Sequence, residues 1–449
     1  MVTTIHPNRN ASISRNIISK WLFEYLNTNN INYASFGPDD SSLFETNSIN
    51  IVIPQNDFNF ISRHVYQFCG QSNLICVQTL RYETTACLFI LSYYDKAIDR
   101  FLNIKVDFCS DFKIDARFLL SAEELLNDPS YNIEKKYWKV SSASSFIYYL
   151  VRLIENLSIN ETQFAELNKW WFLTATGITE KLKRFFNGNS ISIITDSFRK
   201  RDIHFLKANL VPLHEDLHAN TQRDKKDIIA NRLRLMKNSL KPKGLVIGIL
   251  GRDGCGKSTF VNEMANSLGT YFTGTATFKK LPAILYKGEI FKKKEEYIFS
   301  KPHHHDERGT FASFLKLNLL LIEFLLGYWL KIFPAKVKSQ LVLYDRYFVD
   351  VLADPRRYRI KHNKFFVKIY HYILPKPDLW IILDLPSEIL LKRKQELSFE
   401  MAEKLRYEYL NLQKFLPNSI VINNEEDIRK TVNKASTFIF NYMHQRVAV

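Results

Sequence analysis

The chain has 449 residues, 46% hydrophobic and 24% charged, with only 14 glycines and 14 prolines. Single cores stop growing near about 250–300 residues, so two or three domains are expected, and a long disordered or low-complexity chain is excluded. The formal net charge of +16 suits a protein that handles polyanions. The charges are dispersed, form no basic arm and accompany no nucleic-acid motif, which argues against nucleic acid as a partner.

In chain order, residues 12–27 carry helical spacing through Ile13, Ile17, Ile18, Trp21, Leu22 and Tyr25. Strand-like runs follow at Ile49–Ile53, Leu74–Gln78, Leu88–Ser92 and Leu102–Phe108. They predict a small α+β domain over residues 1–125. A helical connecting region is predicted for 126–240, with Phe146, Tyr149, Leu150, Leu153 and Ile154 on one face. The stretch Arg223–Lys243, rich in Lys, Arg and Asn, marks a domain boundary.

From Gly244 the pattern changes. Five glycines fall between Gly244 and Gly256, and apolar runs at Leu245–Leu250, Leu341–Tyr344, Leu379–Leu383 and Ser419–Ile422 alternate with helical patterns. Short continuous apolar runs separated by helices predict an α/β domain with a buried parallel sheet over residues 241–449. Leu317–Phe333 is interrupted by Asn318, Glu323 and Gly327 and falls short of the roughly 20 apolar residues of a spanning helix. It is read as a buried helix, with contact at a membrane surface as the alternative. The N-terminus shows no signal-peptide core, and five cysteines without a CxxC pair point to a reducing cytoplasm.

The segment LVIGILGRDGCGKSTF orders strand, loop and helix as a P-loop requires, with Gly251, Gly256, Lys257 and Ser258 filling the GxxxxGK-Ser/Thr pattern. Gly251, Gly254 and Gly256 let backbone N–H groups turn around phosphate oxygens, and all three are read as nucleotide-binding. The helix N-terminus, carrying Thr259 in its first turn, adds its positive end. Lys257 is expected on the β- and γ-phosphates of ATP, and the Ser258 hydroxyl on Mg²⁺. Cys255 fills an unconstrained loop position where a small residue suffices, and with Thr259 it is counted among the nucleotide-binding residues. His303, His304 and His305 with Asp306 are read as an exposed or phosphate-contacting loop, with a structural metal as the lesser reading.

GRDGCGKST resembles the phosphate loop of thymidylate kinases, acidic Asp253 included. The run LVLYDRYF resembles their Asp-Arg-Tyr motif through Asp345, Arg346 and Tyr347. PKPDLWIILDLPSEILLKRK is similar to the segment leading into their lid, aligning Asp378, Asp384, Pro386 and Glu388 with a basic Lys392, Arg393 and Lys394. The resemblance covers roughly residues 244–445. It implies that Asp253 and Arg346 face the phosphoryl acceptor, that Asp345 stands near the metal or its waters, and that Arg393 closes over the transferred phosphoryl. Two departures stand out. Asp350 takes the place of the family's Ser, and neither the Ala-Tyr-Gln element nor the Arg-Glu-Pro-Gly-Gly loop is present. Basic residues (Arg308, Arg356, Arg357 and Arg359) stand instead, and the first three are read as acceptor-binding.

Residues 31–108 resemble a minimal nucleotidyltransferase fold whose acids are reduced to Asp107, since Ser48, Ile49 and Asn50 occupy the Asp-x-Asp position. Because two-metal chemistry needs clustered carboxylates, this implies a binding or scaffolding domain, with an unrelated α+β domain as the alternative. The leading reading is therefore a cytoplasmic, ATP- and Mg²⁺-dependent kinase acting on an anionic or sugar acceptor, in the setting of bacterial surface polysaccharides. A thymidylate-type nucleoside monophosphate kinase and an ATP-binding regulatory protein without turnover are the alternatives, and a homodimer is compatible with each.

Overall fold

The computed structural model describes residues 15–37, 48–279, 307–361, 364–393 and 397–448. It forms two compact units, Met1–Met236 with Met443–Val449, and Lys237–Tyr442. The tri-histidine run and Lys394 lie outside the described residues.

In the first unit, helix Arg15–Thr28 buries Ile18, Leu22 and Leu26, the face its spacing predicts. The strands are β1 (Ala34–Ser35), β2 (Ser48–Val52), β3 (Ile75–Glu83), β4 (Ala86–Asp95), β5 (Arg100–Cys109), β6 (Phe112–Ile114), β7 (Arg117–Leu120), β8 (Ser130–Asn132) and β9 (Tyr137–Lys139). Seven of them form one mixed sheet in the order β3-β4-β5-β2-β1-β9-β8, while β6 and β7 pair separately. The sheet thus runs past residue 125, through two three-residue strands too short to show a period. β2 and β5 are parallel, with Asn50 opposite Asp107.

Helices Ser142–Glu155, Glu161–Leu182, Gly188–Arg199 and Leu210–Asn220 belong to the same unit and share one core, in which Phe146, Leu150, Ile154, Leu213 and Leu217 are buried. Side-chain caps start the first three: Ser141, Asn160 and Asn187 each accept from a backbone N–H three residues on, which satisfies otherwise orphaned donors.

The second unit is built on β10 (Leu245–Leu250), β11 (Thr275–Lys279), β12 (Leu341–Asp345), β13 (Leu379–Asp384) and β14 (Ser419–Asn423). All pair parallel, in the order β11-β12-β10-β13-β14. β10 and β12 are buried at every position, as their unbroken apolar runs require. The edge strand β11, TATFK, is partly exposed and alternates, and its polar composition hides it from an apolar-run search. Asp378 ties the sheet at the end away from the phosphate loop, accepting from Val246 N at 2.8 Å and pairing with Lys336 Nζ at 2.7 Å.

Helix Thr310–Gly327 continues through a π-helical turn, Tyr328–Ile332, into Phe333–Val337. Leu317, Leu320 and Phe324 are buried, but Phe311, Leu315, Ile322 and Trp329 are exposed. Leu317–Phe333, read as a buried helix, is thus buried on one face only. The run Thr310–Val337 is long and apolar enough to cross a membrane, with 33% of its most apolar window buried in the fold.

Candidate active site

The phosphate loop leaves the C-terminal end of β10 between β12 and β13, where ligands bind open α/β sheets. Its three glycines all take positive φ: Gly251 +147°, Gly254 +84° and Gly256 +90°. Gly254 lies in the turn at the tip of the loop, partly exposed, where its backbone conformation selects glycine. At Gly251 and Gly256 space is lacking as well, because a Cβ would stand 2.7 Å from Leu383 O or 2.5 Å from Asn424 Nδ2. The loop is also pinned from outside. Asn424 Nδ2 donates to Cys255 O at 2.7 Å. Buried Arg252 donates to Ser387 Oγ at 2.7 Å, to Ala402 O at 2.8 Å and to Leu385 O. Sequence reasoning passed over Arg252, since it fills a variable loop position and only its buried partners reveal it.

Lys257 is 6% exposed, and its ammonium donates to Gly251 O at 2.9 Å and Arg252 O at 2.7 Å. Burial, then the nearby Arg346 cation, lowers its pKa. Ser258 and Thr259 are exposed at the start of helix Lys257–Leu268. Cys255 is buried, its Sγ 3.8 Å from Lys257 Nζ.

Beside the loop lies a charged cluster. Asp253, 29% exposed at its side chain, lies between two buried guanidiniums: Arg346 Nη2 at 2.6 Å from one oxygen and Arg357 Nη2 on the other. Burial pushes the Asp253 carboxyl upward, but Arg346, Arg357 and Lys257 outweigh it and hold the group well below the usual range. Arg346 follows β12 with φ +70°, a conformation rare outside glycine, and its Nη1 donates to both oxygens of Asp350 at 3.1 Å. Asp350 is fully buried and accepts further from Tyr409 Oη at 2.7 Å and Tyr358 Oη at 3.0 Å. Arg357 Nε lies 3.3 Å from Asp354. For both arginines burial works to lower the pKa. The surrounding carboxylates, Asp350 first for Arg346 and Asp253 first for Arg357, reverse it.

Asp345 ends β12 at 7% exposure, and its Oδ1 has no hydrogen-bond partner among the described residues. A buried, unpartnered carboxylate oxygen is costly unless something completes it. With the Ser258 hydroxyl this hard oxygen donor fits Mg²⁺. Asp384 is held bidentately by Arg406, Nη2 at 2.7 Å and Nε at 2.9 Å. The remaining predicted residues stand apart from the cluster. Arg356 is exposed and 3.6 Å from Glu307, Arg308 is half-buried and meets Arg359 through its backbone, and Lys392 and Arg393 are exposed at the end of helix Ser387–Arg393. Of the three arginines read as acceptor-binding, only Arg357 joins Asp253.

The first unit presents a different picture. Asp107 accepts from Tyr82 Oη at 2.7 and 2.9 Å and pairs with Arg152 at 3.3 Å. Asn50 donates to Tyr149 Oη at 3.1 Å. Asn50, Tyr82, Tyr149 and Arg152 line a cavity of about 310 Å³.

No family model matches the chain. It is 25% identical over 202 residues to the probable thymidylate kinase 1 of Saccharolobus solfataricus, covering 43% of this chain and 96% of that protein. It is 30% identical over 208 residues to the probable thymidylate kinase of Pyrococcus horikoshii, covering 42% of this chain and 94% of that protein. The crystal structure of thymidylate kinase from Ehrlichia chaffeensis superposes with a TM-score of 0.33 at 14% identity, over 44% of this chain and 98% of the other.

Proposed function

Since the chain belongs to the thymidylate kinase family, through about two fifths of its length, we propose that its P-loop unit transfers the γ-phosphoryl of ATP to a nucleoside monophosphate. The relatives support a nucleotide acceptor over the sugar or surface-polysaccharide acceptor expected from the sequence. The observation that carries the reading is Asp253 held between Arg346 and Arg357 beside Lys257. Paired guanidiniums match phosphate oxygens bidentately. An acceptor phosphate would take over the two arginines that Asp253 now neutralises, leaving the carboxylate to meet a substrate hydroxyl.

Lys257 would move from the loop carbonyls to the ATP phosphates, which the backbone N–H groups around Gly251, Gly254 and Gly256 would cradle. Ser258 and Asp345 would hold Mg²⁺ or its waters; bound there, the ion supplies charge neutralisation between phosphates. Catalysis of this kind is mainly positioning and electrostatics. Asp350 has both oxygens engaged by Arg346, Tyr358 and Tyr409, so it sets the position of Arg346 and does not present itself to a base. The five cysteines, all free and buried, suit a cytoplasmic setting.

The test is a coupled assay of ADP release against thymidylate, uridylate, cytidylate, sugars and sugar phosphates. A nucleoside monophosphate should be turned over with kcat/KM of about 10⁴ M⁻¹s⁻¹ or more. Turnover of a sugar or sugar phosphate with every nucleotide inert would overturn the assignment.

A further inference from the structure

Helix Leu210–Asn220 contains the run His214-Glu215-Asp216-Leu217-His218. Histidines four apart share one helix face, the spacing by which an H-E-x-x-H helix presents two zinc ligands. Here that face meets a third ligand from another helix. Glu155, the last residue of helix Ser142–Glu155, has Oε1 2.8 Å from His218 Nε2 and Oε2 3.6 Å from His214 Nε2. The three ligand atoms lie within 4.8 Å of one another. We propose that Glu155, His214 and His218 bind a single divalent transition-metal ion, with Zn²⁺ favoured by the ligand set.

Several features favour a cation at this point. Two imidazoles and one carboxylate make a three-ligand zinc set that leaves a fourth position for water or a substrate group. Zinc–ligand bonds of about 2.0–2.2 Å place the ligand atoms of such a set roughly 3–3.6 Å apart. A carboxylate on the final residue of a helix is unfavourable beside the negative end of the helix dipole, and a bound cation compensates both. The two imidazole centroids are 4.0 Å apart, so both rings face the same point beside Glu155. Leu213 and Leu217, each one residue before a histidine and on the adjoining face of the helix, are buried in the core that also holds Leu153 and Ile154, so the ligands stand on locked elements. All three remain reachable, at 17–28% side-chain exposure, and Glu155 also lines the 310 Å³ cavity.

Arg117 sets a condition. Its Nη2 lies 3.2 Å from His218 Nδ1, and its Nη1 2.9 Å from Asp115 Oδ2. A metal on Nε2 leaves the ring proton on Nδ1, so loading requires the guanidinium to swing toward Asp115. Glu215, the base of a hydrolytic H-E-x-x-H helix, is solvent-exposed here, and Asp216 is engaged by Asn187 N at 2.9 Å. The inference therefore concerns an ion and not hydrolysis.

The full chain, stripped with chelator and free of nucleotide, is titrated with Zn²⁺ by calorimetry and with Co²⁺ by visible absorption. One ion with the intense d–d bands of four-coordinate cobalt is expected. His214→Ala should weaken it about 100-fold or more, and Glu155→Gln about tenfold or more. A His303→Ala, His304→Ala, His305→Ala variant controls for the tri-histidine run and should leave this ion in place. Absence of any bound ion, wild-type affinity in His214→Ala, or loss of the ion in the tri-histidine variant would overturn the proposal. Circular dichroism checks each variant, and if His214→Ala does not fold, the Glu155→Gln titration decides.

Discussion

Two carboxylates of equal burial, each 7% exposed late in a strand, have opposite surroundings. In the first unit Asp107 is enclosed by Tyr82 and Arg152. In the P-loop unit Asp345 keeps an oxygen without a partner among the described residues. A buried charge is tolerated when paired, and an open valence persists where a ligand can complete it. The same residue type is thus a closed structural tie in one sheet and, in the proposed function, a metal donor in the other. The arginine beside Asp107 does what a second carboxylate would prevent: it neutralises the site from within.

The largest effect should come from Lys257→Ala, which removes a preorganised cation from the transferring phosphates. Turnover should fall by about 10²–10³ or more with an unchanged circular dichroism spectrum. Turnover within tenfold of wild type would sink the kinase mechanism. Asp345→Asn tests the open side of the comparison. It should lower the rate about 10–100-fold and raise the Mg²⁺ concentration for half-maximal activity; an unaltered Mg²⁺ curve would place the ion elsewhere.

Asp107→Asn tests the closed side. Leaving Arg152 without its carboxylate should cost about 1–3 kcal/mol in urea unfolding with kcat unchanged. If kcat falls while stability holds, Asp107 is no mere tie. A Lys257→Ala protein given Mg²⁺ or Mn²⁺ and labelled nucleoside triphosphates should yield no nucleotidyl product, and labelling abolished by Asp107→Ala would reverse that view.

The smallest effect concerns His371, buried with Nδ1 unpartnered and its pKa lowered to about 4 by burial and then by Lys376. The unfolded chain takes up this proton first, so its contribution is complete above about pH 6.5 and disappears as pH falls toward 4. Melting temperature should drop by a few degrees more across that window in wild type than in His371→Leu. Parallel curves for the two proteins would remove the histidine from the account.

The central strands of the P-loop sheet were legible because strands buried on both faces read as unbroken apolar runs. β11 was not, being half-exposed and Thr-rich, and β8 and β9 were too short to carry a period. The glycines and Lys257 were legible since backbone geometry and phosphate charge dictate them. The partners of Arg346 were not. Asp350 stood out only as a departure from a pattern, and Tyr409 lies 63 residues along the chain from Arg346, where only packing brings it back. The arginine count around Pro355 was visible, but which of the neighbours Arg356 and Arg357 turns inward depends on the Asp354 cap at the head of Pro355–Tyr358.

The Lys257 ammonium, resting on the carbonyls of Gly251 and Arg252, has a consequence for how nucleotide enters. The loop solvates its own cation, so under the proposed function ATP would arrive as a competitor in an exchange of acceptors and not as a guest in a bare positive hole. An exchange of this kind would weaken affinity by the worth of the bonds surrendered, yet it spares the empty site an unsolvated charge and would give a departing ADP a ready rival. Arg252 matters here at a distance: by fastening the loop to Leu385, Ser387 and Ala402 it holds those surrogate oxygens in place, so under the proposed function the lysine would return to the same resting geometry after each turnover.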